Sequence, residues 1–258
     1  MRATFISRPN RFIAVVDIDG AKTDVHVANS GRLRELLTPG RMVYLEKAIA
    51  GARRTLYTLS LVEMPSALVS IDSRLSSSLA AEAFAKGTFP RFSAFNNLRR
   101  EVTYHNSRLD LMLSSSDSTC YIETKCSTLV KDGVAMFPDA PTARGLRHLR
   151  DLIHACKAGH HASVMFVIQR DYAISFAPNW ETDRDFCETL ALASKSGVEV
   201  CAYTCNVTLE GIEIHHEVPV SLMESHENAP RHSESTSRQP APPVPIPSRI
   251  YRGEISDK

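Results

Sequence analysis

The run Ser163-Val164-Met165-Phe166-Val167-Ile168 is apolar with no alternation after its first residue. A strand of that kind has no face to offer water, so the stretch 163–170 predicts a central strand covered on both sides. The flanking sequence supplies the covers. Pro141 to Ala158 predicts a helix, with Pro near its start, Gly159 past its end, and Leu146, Leu149, Ile153 and Cys156 on one face. Thr182 to Ser196 predicts a second helix stopped by Gly197, and Val198 to Tyr203 a second buried strand. A hairpin is expected over Val207 to His215 around Glu210-Gly211. Upstream, Arg100–Tyr104, Leu109–Leu113 and Cys120–Lys125 form a meander, the last two joined by the polar turn Ser114-Ser115-Ser116-Asp117-Ser118. The order β-β-β-α-β-α-β gives an α/β sandwich around a mixed sheet.

The first 70 residues read as β. Strands are expected at Phe12–Ile18, Lys22–Ala28, Arg41–Lys47 and Arg53–Val62, with a loop or single helical turn over Asn29–Leu37. Such short, closely spaced strands indicate a small barrel, OB-type or SH3-like. Asp72 is expected to cap a helix over Ser73–Lys86 that opens the second domain. Past residue 224 the chain turns Pro- and Ser-rich, which predicts a disordered tail. The expected domains are therefore 1–70, 71–224 and 225–258, of class α+β / α/β.

Bulk properties restrict the function. At 43% hydrophobic residues the 258-residue chain can bury a core, and a formal charge of +1 excludes a globally basic protein, so any polyanion surface must be local. The opening MRATFISRPNRF has no apolar signal core and no run is long enough to span a bilayer, so a soluble cytoplasmic protein without a membrane partner is expected. The six cysteines form no C-x-x-C pair and read as free thiols.

Chemistry concentrates on two strands. In Leu109-Asp110-Leu111-Met112-Leu113 the leucines share one face and Asp110 takes the other. In Tyr121-Ile122-Glu123-Thr124-Lys125, Glu123 and Lys125 share a face, and Thr124 is expected to face away from it. Pairing around the Ser-rich turn brings Asp110 beside Glu123. Two carboxylates are oxygen ligands for Mg²⁺ or Mn²⁺, with the Thr124 carbonyl as a further oxygen, and Lys125 can offset charge on a phosphate. A solvated ion pair on a strand face has the same spacing. What separates the two is Asp110, because a carboxylate in an apolar strand is costly unless a cation compensates it. Glu101 is a possible additional acid. Arg144 and His148 share a helix face, and Arg8, Arg11, Arg32, Arg34, Arg41, Arg53 and Arg54 would line a nucleic-acid groove if grouped.

The segments RPNRFIAVVDIDG, ANSGRLRELLTPG, EVTYHNSRLDLML, CYIETKCSTL and FPDAPTARGLRHLRDL, in that order, resemble the sugar fermentation stimulation protein A family over residues 8 to about 218. The resemblance implies an OB-fold followed by a domain of the PD-(D/E)XK nuclease superfamily. Its acidic pair and lysine fall on Asp110, Glu123 and Lys125, and its Thr-x-Arg-Gly-x-x-His stretch falls on Thr142, Arg144, Gly145 and His148. It also implies sequence-nonspecific DNA binding, single strands included, with an endo- or exonuclease activity or, alternatively, a non-catalytic regulatory role in sugar (maltose) metabolism. The sequence leaves the oligomeric state open, a homodimer included. A carbohydrate-handling enzyme is disfavoured because no sugar-binding aromatic cluster is present and Trp180 is the one tryptophan.

Overall fold

The computed structural model describes residues 1–48 and 55–224. Arg53 and Arg54, and the tail expected over 225–258, lie outside the described residues.

The chain opens with β1 (Arg2–Asn10), β2 (Ile13–Ile18) and β3 (Ala21–Val27), followed by β4 (Met42–Lys47), β5 (Tyr57–Met64) and β6 (Ala67–Ser70). The sheet order β3-β2-β1-β4-β5-β6, with an additional β3–β5 pairing, closes a five-stranded barrel of OB type from β1 to β5. Strand alternation fills it: Phe5, Val16, Val25, Val27, Val43 and Leu59 point inward and are buried. Leu33 and Leu36 plug the barrel from the segment between β3 and β4, where Leu37 N–H donates to Leu33 O at 2.9 Å to make the expected single helical turn.

The second sheet is assembled from β7 (Asn97–Tyr104), β8 (Ser107–Ser114), β9 (Thr119–Ser127), β12 (His161–Ile168), β14 (Glu199–Val207) and β15 (Ile212–Val218), in the order β15-β14-β12-β9-β8-β7. It is mixed, since β12 pairs parallel with both β9 and β14 while the outer pairs are antiparallel. The central strand behaves as its composition dictates. Val164, Phe166 and Ile168 pack on one side with α2 (Ala143–Lys157) and α3 (Arg184–Lys195). Met165 and Val167 pack on the other side with α1 (Leu75–Ala85). Each such full burial stabilises by about 1.5–3 kcal/mol. A small third sheet, β10 (Leu129–Lys131), β11 (Val134–Phe137) and β13 (Ser175–Pro178), was not anticipated.

Two local expectations need correction. Asp72 does not cap α1. Its carboxylate accepts the Arg74 N–H at 2.9 Å and pairs with the Arg74 guanidinium, and the helix begins without a side-chain cap. The hairpin placed over Val207–His215 is the end of one longer pair, because β14 runs on from Glu199 to Val207 before turning through 208–211. The described cysteines are unpaired. Among the described residues, no helix is long and apolar enough to cross a membrane.

Candidate functional site

The register of β8 and β9 builds the site. Leu113 pairs with Cys120 and Leu111 with Ile122. Continuing by one residue sets Asp110 opposite Glu123. Beyond that point the ladder opens and the Asp110 carboxylate takes over the backbone's role: Asp110 Oδ2 accepts the Thr124 N–H at 2.8 Å and the Thr124 hydroxyl at 2.5 Å. Thr124 therefore does not simply face away from Asp110, as strand alternation suggested. Its hydroxyl reaches back where the pairing opens, and it fixes the aspartate.

Glu123 is 3% exposed, yet two nitrogens converge on one of its oxygens. Lys125 Nζ donates to Glu123 Oε1 at 2.5 Å, and His148, on α2, meets the same oxygen through Nδ1. Arg144 Nε donates to His148 Nε2 at 3.2 Å. Arginine can only donate, so Nε2 accepts and the imidazole proton sits on Nδ1, aimed at Glu123. The 3.4 Å approach of Lys125 Nζ to that Nδ1 then joins two donors on one carboxylate oxygen. Glu123 Oε2 is buried and, among the described residues, hydrogen-bonds to nothing.

The two carboxyls are driven apart electrostatically. Burial, and then the neighbouring Glu123, push Asp110 above the usual carboxylate range against the pull of its Thr124 bonds and Lys125. Burial also acts to raise Glu123, but Lys125 and His148 together outweigh it and hold the group below its ordinary value.

Helix α2 delivers His148 and Arg144. Thr142 Oγ1 accepts the Gly145 N–H at 3.0 Å, capping the first turn, and Asp183 Oδ2 accepts the Thr142 N–H at 2.8 Å. Arg144 is exposed and His148 is 2% exposed, so one residue serves the mouth and the other the floor.

Asp110, Glu123, Thr124, Lys125 and Arg144 line one cleft of about 520 Å³, together with Glu101 and, from the barrel, Arg11, Asn29, Ser30 and Gly31. Glu101 has a φ of +57° and ion-pairs with Arg108 at 2.8 Å. Arg32 and Arg34 are exposed and do not line the cleft. Arg8 is turned inward, contrary to a role on a phosphate-binding surface. Its guanidinium donates to four main-chain carbonyls, those of Gly31, Arg32, Arg11 and Asn29, at 2.7, 2.8, 2.6 and 2.7 Å. Sequence reasoning also missed Asp139, whose Oδ2 accepts the Leu33 N–H at 2.6 Å and ties the barrel to the segment before α2. The only available signal was an acid in Pro138-Asp139-Ala140-Pro141, which reads as an ordinary turn.

The donor set bears on a metal. No group of three or more His, Cys, Asp or Glu able to hold an ion occurs among the described residues. A carboxylate pair with one unpartnered buried oxygen suits a hard cation that keeps water or phosphate in its remaining positions, as Mg²⁺ does, and does not suit structural zinc.

Comparison with known proteins agrees with this architecture. A family model described as the SfsA N-terminal OB domain matches residues 6–71, and one described as the sugar fermentation stimulation protein RE domain matches residues 74–211. A sugar fermentation stimulation protein homolog of Alkaliphilus metalliredigens is 46% identical over 222 residues, covering 85% of this chain and 96% of the relative. A homolog from Methanobrevibacter smithii is 41% identical over 232 residues, covering 86% and 96%. The structure of Pyrococcus furiosus SfsA in complex with Ca²⁺ superimposes with a TM-score of 0.79 at 30% identity, covering 85% of this chain and 95% of that one. With residues 6–71 and 74–211 matched by its two domain models and most of its length covered by relatives, the chain belongs to the sugar fermentation stimulation protein (SfsA) family.

Proposed function

We propose that this protein is a divalent-metal-dependent phosphodiesterase acting on DNA, with Asp110 and Glu123 as the metal-holding pair. The observation that carries the reading is Glu123 Oε2, a buried carboxylate oxygen beside Asp110 that has no partner among the described residues, in a polar cleft open to solvent. The Ca²⁺ complex of the Pyrococcus furiosus relative supports a hard, oxygen-seeking cation. When bound, Mg²⁺ or Mn²⁺ would supply a polarised phosphate and an acidified water.

The remaining work falls to side chains. Thr124 clamps Asp110 through its N–H and hydroxyl, and its carbonyl would be a further oxygen for the cation. His148 holds Glu123 Oε1, which directs Oε2 as the free oxygen, and Arg144 fixes the tautomer that makes this possible. Lys125, 12% exposed at its side chain, is the cation placed to offset charge growing on a phosphorus centre. Arg144 and Arg11 face the cleft as phosphate contacts. Arg32 and Arg34 extend the basic surface from the barrel, and Glu101 is an additional acid at the rim.

Supercoiled and single-stranded DNA incubated with Mn²⁺ or Mg²⁺ test this directly. Cleavage is expected in the presence of metal, lost with chelator, and lost in Asp110→Asn and Glu123→Gln with DNA binding retained. Binding without cleavage in either metal would refute the enzymatic reading and leave a DNA-binding regulator.

A further inference from the structure

The turn between β1 and β2 carries Phe12, 50% exposed, next to Arg11, which lines the cleft holding Asp110, Glu123 and Lys125. A single exposed aromatic is ordinary. This one is held in place. Asn10 Oδ1 accepts the N–H groups of Phe12 at 2.9 Å and Ile13 at 3.0 Å, and Phe12 O accepts from Val27 N–H at 2.8 Å. Arg8 grips the Arg11 carbonyl with the same guanidinium that holds Asn29 and Gly31, two residues of the cleft wall. Arg11 in turn lies over the Phe12 ring, 5.6 Å from its centroid.

The barrel thus presents a π face and a cation in fixed relation at the lip of the cleft. Among the described residues that line the cleft itself, Phe137 is the one aromatic, so its walls offer charge and hydrogen bonds but little surface for a base. We propose that Phe12, flanked by Arg11, is a base-stacking subsite for an unpaired nucleobase of the strand the cleft engages. The proposal rests on the DNA-binding reading above and adds a strand preference to it. Every base has a π face, so the subsite is indifferent to sequence, but a duplex has its bases stacked on one another already and offers none to Phe12. Arg11 neutralises the adjoining phosphate.

The test is fluorescence anisotropy with a labelled single-stranded oligothymidylate and a blunt duplex, in chelator so that no cleavage intervenes. Phe12→Ala is expected to weaken the single strand about tenfold, the order that loss of one stacked base gives, and to leave the duplex within about twofold. Phe12→Trp should keep single-strand affinity, and its added tryptophan emission should be quenched by the single strand. Since Phe12 is half exposed, both variants should melt with the parent, which circular dichroism checks. Equal single-strand affinity for Phe12→Ala and parent, equal losses on both DNAs, or an unquenched Phe12→Trp that binds would each overturn the stacking subsite while the DNA-binding reading stands. A parent protein that binds neither DNA would overturn both.

Discussion

Gly145→Ala is expected to destabilise the protein although it replaces glycine inside a helix. In an open helix the change would stabilise by about 1 kcal/mol. Here a methyl group at residue 145 would lie 2.8 Å from Thr142 Oγ1, 2.9 Å from Thr142 Cγ2 and 3.0 Å from Phe186 Cε2. Neither neighbour yields cheaply. Thr142 is pinned by Asp183 through its N–H and caps α2 through its hydroxyl. Phe186 is fully buried and packs edge-on against Phe137, with ring centroids 5.2 Å apart. If Thr142 rotates away, the cap is lost at about 1 kcal/mol. If the helix shifts, overpacking costs about 1–3 kcal/mol. After the propensity gain the net cost is about 0–2 kcal/mol, a fall in Tm of up to roughly 8 °C for a chain of this size. Urea unfolding should show a lower midpoint at unchanged slope. The decisive control is Thr142→Ala, which removes both contacting Thr atoms: in that background Gly145→Ala should cost at least 1 kcal/mol less than in the parent, a coupling expected only of groups in contact. Because α2 carries His148 against Glu123, the single variant should also weaken metal binding. Stabilisation by Gly145→Ala, or strict additivity with Thr142→Ala, would refute the packing argument.

Two further expectations separate structural arginines from contacting ones. Arg8→Ala frees four carbonyls and should lower stability by about 1–3 kcal/mol, whereas Arg11→Ala should leave the urea midpoint unchanged and weaken DNA binding with a smaller salt dependence. Arg170 is 2% exposed, reaches Thr128 O and the Tyr172 hydroxyl, and lies 3.4 Å from Glu35 Oε1. Its removal in Arg170→Ala should cost about 3–5 kcal/mol by stranding those groups. The pH dependence has a definite sign. Burial raises the Glu35 carboxyl above its ordinary value and Arg170 pulls it down, so in the variant the folded state keeps the proton to higher pH and loses stability as pH rises through that widened window. The deficit relative to parent should therefore be larger at about pH 8 than at about pH 5; a deficit that shrinks as pH rises would contradict the pairing.

What was legible in the sequence followed from short-range periodicity. Asp110 stood out because it broke an apolar strand, and the Ser-rich turn fixed the register that sets it against Glu123. Arg144 and His148 were visible as neighbours on a helix. Elements without clean periods were missed. β1 slips register between Phe5 and Ser7 and again between Ser7 and Asn10, and these irregularities destroy its alternation. The strands of the third sheet are too short to show any period.

The cleft itself depends on contacts that no local pattern encodes. Leu33 N–H meets Asp139 across 106 residues and Arg170 meets Glu35 across 135, so the barrel wall and the second sheet come together only in the packed chain. The same packing explains why Arg8 and Arg11 have different roles. Gly31 leaves just enough room there, since a methyl group on it would stand 3.0 Å from Asn29 Oδ1 and 3.1 Å from Asp139 Oδ2. Gly31 N–H donates to Asn29 Oδ1 at 2.8 Å and Asn29 Nδ2 to Ile71 O at 2.9 Å, and these bonds hold the Asn29–Gly31 loop where Arg8 can bind its carbonyls. With Arg8 committed to this bracing, the charge free to meet a polyanion passes to its neighbour Arg11. A basic residue in this barrel is thus free to meet an outside anion only if it is not already committed to backbone carbonyls, a condition set by tertiary structure and invisible to a count of arginines.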